Sequence, residues 1–238
     1  MRVGVWCGAG HYAEQVAGEI ATGLENAGHA MIPLDAATTG GEIEAVQAIL
    51  LGVSARELPE AVAQIAPHTR PHHIVLHVVP GESLEPLTPV KEVGAVVGSL
   101  VPLWPGRWAV EYTDELGKTV LELLVKELGG VAVLVSGERR AALATGLSWS
   151  RFARDVAEEA NRTMRAAVEG TIVSSEIDLE QRDTRTIPAL AEAPDLVRQL
   201  TGIVDPGRAR IFAQLARRAA ERDGREEVEL WAMQEEKP

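Results

Sequence analysis

The chain has 238 residues, enough for one large domain or two small ones, and 46% of them are hydrophobic, enough for a substantial core. A net charge of −12, from 23 basic against 35 acidic residues, argues against a nucleic-acid backbone or an anionic membrane as partner. One Cys excludes an internal disulfide and fits a reducing cytoplasm, no basic segment followed by an apolar stretch opens the chain, and no apolar run approaches the ~20 residues of a membrane span.

Residues 2–6 (RVGVW) read as a short apolar strand, followed by Cys7-Gly8-Ala9-Gly10-His11-Tyr12-Ala13 and a helical run to Asn26 that ends at Gly28. A second strand, 30–34, stops at Asp35, which lies 22 residues beyond Ala13. Strand, G-x-G-x-x-A, helix, strand and acid form the layout of a dinucleotide-binding unit. Gly8 permits the tight turn, Gly10 lets a pyrophosphate approach the backbone, and Ala13 lets helix and strand pack closely. The helix start offers unpaired N–H groups to the phosphates. Asp35 is placed to accept the ribose hydroxyls, and its charge favours NAD over NADP by repelling a 2′-phosphate. The alternative is a glycine-rich turn in a domain of this shape that binds no dinucleotide.

Further apolar strands follow at 46–54, 74–79, 95–100, 108–112 and 131–135, with helices at 55–65 and 113–128 between them. Only about ten residues separate Asp35 from the strand at Val46, where a dinucleotide fold ordinarily has a helix. The alternation implies an α/β fold, a Rossmann-like doubly wound and mostly parallel sheet, over residues 1–136. After Ser136 the strand signal ends. One long helix is expected over 138–168, a polar irregular stretch over 170–184, helices at 188–201 and 206–222, and then a charged tail whose Val228, Leu230 and Trp231 can pack back. Residues 137–238 are therefore expected to form an all-helical domain.

Three stretches carry a resemblance to the 6-phosphogluconate-dehydrogenase-like oxidoreductases, and within them to prephenate and arogenate dehydrogenases. They are AILLGVSARELPEAVAQIAPH (48–68), the segment 108–148, and QRDTRTIPALAEAPDLVRQL (181–200), which is similar to the family's F-R-D-x-T-R-I-A-x-S-x-P-x-L-W. The resemblance implies a homodimer formed through the helical domain, a small anionic substrate, a place in tyrosine biosynthesis, and cofactor contact at Ser54, where the family's strand ends. It further implies a catalytic position for Ser83, where the family has a Gly-Ser meeting nicotinamide and substrate, and for Ser148. Arg185 takes the place of an Arg that binds the substrate carboxylate.

The departures are equally definite. The family takes a proton with the His of a Ser-His-Leu-Pro-His motif; here Ser148 is followed by Trp149, and an indole N–H cannot act as a base. The family's Gly-His-Pro and substrate-covering loop are replaced by the shorter segment 98–106, without His, and its His-Asp before the long helix is Arg139-Arg140.

Each candidate has a plainer reading. Arg185 can pair with Asp183 and cap a helix, and Ser83 can be an N-cap. Arg151, with Arg154, can hold an anionic substrate or lie on a solvated helix face. Trp149, with Trp104 and Trp108, can line a substrate pocket or belong to the core. His73 and His77 share a strand face, but no Cys or acid completes a metal site, so none is expected.

The sequence thus points to an NAD-dependent dehydrogenase acting on a small anionic substrate. The rivals are a non-catalytic dimeric binding or regulatory protein and a reductase of another substrate such as an imino acid. The start 8–14 also resembles pyrroline-carboxylate reductases, which use no His base.

Overall fold

The computed structural model describes residues 1–8, 11–168 and 190–235. Its first compact unit, Met1–Ala144, is built on a seven-stranded sheet. The strands are β1 (Arg2–Cys7), β2 (Ala30–Leu34), β3 (Ala48–Gly52), β4 (Ile74–His77), β5 (Val96–Trp104), β6 (Arg107–Tyr112) and β7 (Val131–Leu134), in the order β2-β1-β3-β4-β5-β6-β7. All neighbours run parallel except β5 and β6. β3 is buried at every residue because it is covered on both faces, which is why it reads as a continuous apolar run. β2 is an edge strand and carries Pro33, a residue an edge tolerates.

Helices cover both faces. On one, Val16, Ala17 and Ile20 of α1 (His11–Asn26) and Leu121 and Leu124 of α5 (Glu115–Glu127) pack with Leu50, Leu76, Leu100 and Val110. On the other, Ile43 of α2 (Gly40–Glu44), Leu58, Val62 and Ile65 of α3 (Leu58–Ile65) and Val90 of α4 (Thr88–Glu92) pack with Ile49, Leu51, Val75 and Val97. The fold is the doubly wound, mostly parallel Rossmann-like sheet that the sequence implies.

Several elements differ from expectation. The short stretch after Asp35 keeps one helical turn, α2, stabilised by a capping box in which Glu42 accepts from Thr39. The segment replacing the family's covering loop is no loop: β5 runs on to Trp104 and turns at Pro105-Gly106 into β6, with Gly106 at φ 70°. The charged tail is a helix, α9 (Glu226–Glu235), and α4 had no signature in the sequence.

The second unit, Thr145–Pro238, contains most of α6 (Arg140–Val168), with α7 (Ala193–Thr201), α8 (Pro206–Asp223) and α9. Its core joins Phe152, Leu196, Phe212, Val228 and Trp231, so two of the three apolar tail residues do pack back; Leu230 is exposed. α8 starts on Asp205, whose carboxylate accepts from the Arg208 N–H at 2.7 Å, with Pro206 following. It ends at Gly224, φ 66°.

α1 approaches the end of β3 closely. A Cβ on Gly52 would lie 2.4 Å from the Ala17 methyl and 3.1 Å from the Ala13 carbonyl oxygen. Gly52→Ala therefore overpacks and should cost about 1–3 kcal/mol. Gly18→Ala, on the same helix with nothing within 4 Å, should stabilise by up to about 1 kcal/mol. Urea denaturation of the two variants measures both, and equal effects would show that the close approach is not a constraint.

Candidate functional site

The chain reverses direction across the sheet between β1 and β3, and the crevice outside the carboxyl ends of these strands is where open α/β sheets take ligands. The turn after β1 begins there. The Gly8 N–H donates to the Gly52 carbonyl at 2.9 Å, and Ala13 is 3% exposed. The small residues at 13, 17 and 52 give the tight helix–strand packing that the G-x-G-x-x-A pattern implies. Gly10 lies outside the described residues.

At the tip of β2, Asp35 is exposed, and its Oδ1 accepts from the Ala37 N–H at 2.8 Å. Its own N–H donates to the Thr38 hydroxyl at 2.7 Å. This turn fixes the carboxylate while leaving Oδ2 outside the turn's hydrogen bonds, an arrangement that suits a diol. Ser54 is 8% exposed and donates through both N–H and Oγ to Glu57 Oε2, each at 2.9 Å.

Glu57 is a residue the sequence did not single out. A Cβ on Gly8 would meet its Oε2 at 2.5 Å, so its carboxylate lies against the glycine turn, between the carboxyl ends of β1 and β3. The site therefore fits a dinucleotide at the ribose end, while a diphosphate at the turn has a carboxylate for a neighbour. Burial, and then the Glu14 charge, pushes the Cys7 thiol up, away from the thiolate.

A second polar group lies at the same edge of the sheet. His77, Ser99 and Glu111 are register partners across β4, β5 and β6, so they form one row on one face. Arg140, the first residue of α6, lies fully buried on that row: Nε donates to Glu111 Oε2 at 3.2 Å and Nη2 donates to the Ser99 hydroxyl. Ser83 reaches the same neighbourhood, since a Cβ on Gly137 would lie 3.0 Å from both its Cβ and Glu111 Oε1. The Ser83 hydroxyl itself accepts from the Glu85 N–H at 3.3 Å. Burial, and then the Arg140 charge, holds His77 down to about 3, so its ring is neutral at physiological pH.

The candidates from the helical half take different places. Ser148 donates to Gln199 Oε1 at 2.5 Å. Trp149 packs edge-on against Phe152 and Phe212, at 6.2 and 5.4 Å between centroids. Arg151 pairs with Asp223 at 2.8 Å. Arg185 lies outside the described residues. Trp108 packs in the sheet core and Trp104 is 57% exposed. Among the described residues no group of three His, Cys, Asp or Glu could hold a metal, and no helix is long and apolar enough to cross a membrane.

Residues 136–235 match the family described as 6-phosphogluconate dehydrogenase C-terminal domain-like. No curated protein sequence matches the chain. Among solved structures, the chain is similar to 3-hydroxyisobutyrate dehydrogenase from Mycobacterium tuberculosis, at 13% identity and TM-score 0.57, over 91% of this chain and 94% of that one. It is also similar to a UDP-glucose dehydrogenase from the archaeon Pyrobaculum islandicum, at 16% identity and TM-score 0.52, over 99% of this chain and 67% of that one. An arogenate dehydrogenase from Synechocystis aligns at 17% identity and TM-score 0.47, over 97% of this chain and 90% of its own. At such identities the likeness establishes the fold, a Rossmann-like sheet followed by helices. It is spread over several kinds of dehydrogenase and does not single out the prephenate and arogenate enzymes.

Two predictions follow from this geometry. Because His77 stays neutral when folded but takes a proton near 6.5 when unfolded, the unfolded state binds more protons below that pH, and stability falls as pH falls. Between pH 7 and 5 this group should withdraw on the order of 2 kcal/mol. Urea unfolding of wild type and His77→Gln at both pH values reads the difference, and an equal pH dependence in the two would refute it. Second, Glu57→Gln removes a charge beside the turn and should tighten dinucleotide binding by about 1 kcal/mol, roughly fivefold. Calorimetry tests this, and weaker binding by the variant would give Glu57 the opposite role.

Proposed function

We propose that the protein is an NAD-dependent oxidoreductase acting on a small anionic substrate. The observation that carries this reading is the Asp35 turn, which fixes one carboxylate oxygen and leaves the other outside its hydrogen bonds, at the switch point of the sheet. Gly8, Gly10, Ala13, Asp35 and Ser54 would hold the cofactor. Asp35 would orient its ribose by accepting from the hydroxyls and would exclude a 2′-phosphate by charge. A nicotinamide supplies, when bound, a donor or acceptor of hydride. Ser83, beside Glu111 and Gly137, would border the substrate. A homodimer through the helical domain and a substrate of the prephenate or arogenate type belong to the same reading. They are supported by the resemblance of residues 181–200 and by the family match at 136–235.

A second reading, reduction of another substrate such as an imino acid, is favoured by one observation. Arg140 donates to the Glu111 carboxylate and the Ser99 hydroxyl, so the acid at this edge is held by a guanidinium, whereas oxidation of an alcohol needs a base free to take a proton. The neutral, buried His77 is too weak a base for that role.

Thermal unfolding with NAD, NADH, NADP and NADPH tests the proposal. NAD at about a hundredfold above Kd should stabilise by about 2.7 kcal/mol, NADP by less, and Asp35→Ala should erase the preference. No shift with any of the four nucleotides would overturn the reading.

A further inference from the structure

We propose that β7, an open edge of the sheet, is a self-association site. It pairs antiparallel with β7 of a second copy about a two-fold axis at Val133, joining two sheets into one. The contact is built wholly within the first unit, is separate from a dimer through the helical domain, and does not depend on the oxidoreductase reading.

An edge strand presents unpaired N–H and C=O groups, and proteins blunt such edges with charge, proline or a covering segment. The sheet has two edges, β2 and β7. β2 is blunted. The Ala30 N–H donates to the Met1 carbonyl, so residues 30, 32 and 34 face β1 and residues 31 and 33 face outward. Pro33 thus removes an outward donor, and Asp35 puts a charge at the strand's end. β7 carries neither device. The Val131 and Val135 N–H groups donate to the carbonyls of Gly106 and Val110, each at 2.9 Å, so Ala132 and Leu134 turn both N–H and C=O outward. Among the described residues no strand pairs with that side. Residues 128–137 (LGGVAVLVSG) contain no charge and no proline, and Val131 and Leu134 are 52% and 58% exposed.

These features select a second copy as the occupant. A partner strand must bring its own free backbone row, and on another copy only β7 does so intact. Pairing β7 with β2 would meet Pro33 and would be head to tail, whereas pairing β7 with β7 closes on itself. With Val133 on the axis, Ala132 of one copy lies opposite Leu134 of the other, and each such pair exchanges N–H and C=O bonds. Every outward group of β7 is then met. Ala132 packs on the face that α5 covers, so on that face the exposed Leu134 of one copy covers the Ala132 of the other. On the opposite face the exposed Val131 meets Val135 of the other copy. Charge permits the approach: copies of a chain carrying −12 repel, and an uncharged segment lets them meet without opposing like charges.

The test uses the full chain. Sedimentation velocity across the micromolar range should show concentration-dependent association, since a short edge pair buries little area. Leu134→Lys, which places a charge on the edge, should lower the limiting mass by about half, whether or not the helical domain also pairs. The register is read by cross-linking in a Cys7→Ser background, with copper phenanthroline as oxidant. A non-hydrogen-bonded antiparallel pair has Cα atoms about 4.5 Å apart, within disulfide reach, so Val133→Cys should bridge between copies. Ala132→Cys, whose counterpart lies diagonally two residues along, should bridge about tenfold or more slowly. Adding Leu134→Lys to Val133→Cys should abolish the bridge. If Leu134→Lys does not fold, the two cysteine variants decide alone. Equal limiting mass for wild type and Leu134→Lys would leave the edge to another segment of this chain or to a strand of another protein, and overturns the assignment. Bridging of Ala132→Cys as fast as Val133→Cys, or no bridging by Val133→Cys, overturns it as well.

Discussion

A guanidinium with no exposed surface is the costliest group in the first unit, and much of the arrangement follows from keeping it there. Taking an Arg out of water costs several kcal/mol unless its donors are met and its charge is balanced. Burial lowers the affinity of Arg140 for its proton, and Glu111 opposes that shift. The balance depends on the sheet. Glu111 lies opposite Ser99 only because β5 and β6 are joined by a tight hairpin and run antiparallel. Antiparallel pairing at that point places a carboxylate and a hydroxyl on one row, within reach of the first residue of α6. The hairpin that replaces the expected loop therefore anchors the helix that leads into the second unit.

The electrostatics at the sheet edge are divided. Asp35 and Glu57 put negative charge on the β1–β3 side, where the glycine turn lies, and Arg140 puts positive charge on the β4–β6 side. The protein as a whole carries −12 and offers anions no long-range attraction. An anionic ligand of the kind proposed would have to be held by short-range donors in a low-dielectric setting, where each is worth more than at the surface. The positive charge of Arg140 is itself balanced by Glu111.

The fold was legible because its signals are local. Strands covered on both faces read as unbroken apolar runs, and the glycine turn, Ala13 and Asp35 stand at fixed offsets. What was missed depends on partners far apart in sequence. Glu57 matters through contact with Gly8, and Gly52 through contact with Ala17. Arg140 matters through partners 29 and 41 residues away. The hairpin at residues 105–106 was hidden by the resemblance, which suggested a loop, although Pro-Gly between apolar runs is a turn signal in its own right. His77 shares a strand face with His73 in the sequence; only its zero exposure and its Nδ1 acceptor bond give it a defined tautomer.

The helical unit uses Trp149 for packing. It is part of a three-ring cluster, with Phe152 and Phe212 at 5.0 Å completing it. Edge-to-face pairs of this kind contribute about 0.5–1.5 kcal/mol each beyond the area they bury. The chain has only nine aromatic residues, five of them Trp, so this trio is a large share of its aromatic packing. A polar imidazole at 149 would break two of the three contacts and bring a titratable group to the edge of a core that otherwise consists of Leu, Ala, Val and aromatic residues. Neighbouring side chains agree: Ser148 is bound to Gln199 and Arg151 to Asp223, so this face of α6 is used for cohesion within its own unit. A helix face committed in this way holds its own unit together, and the indole at Trp149 offers no base.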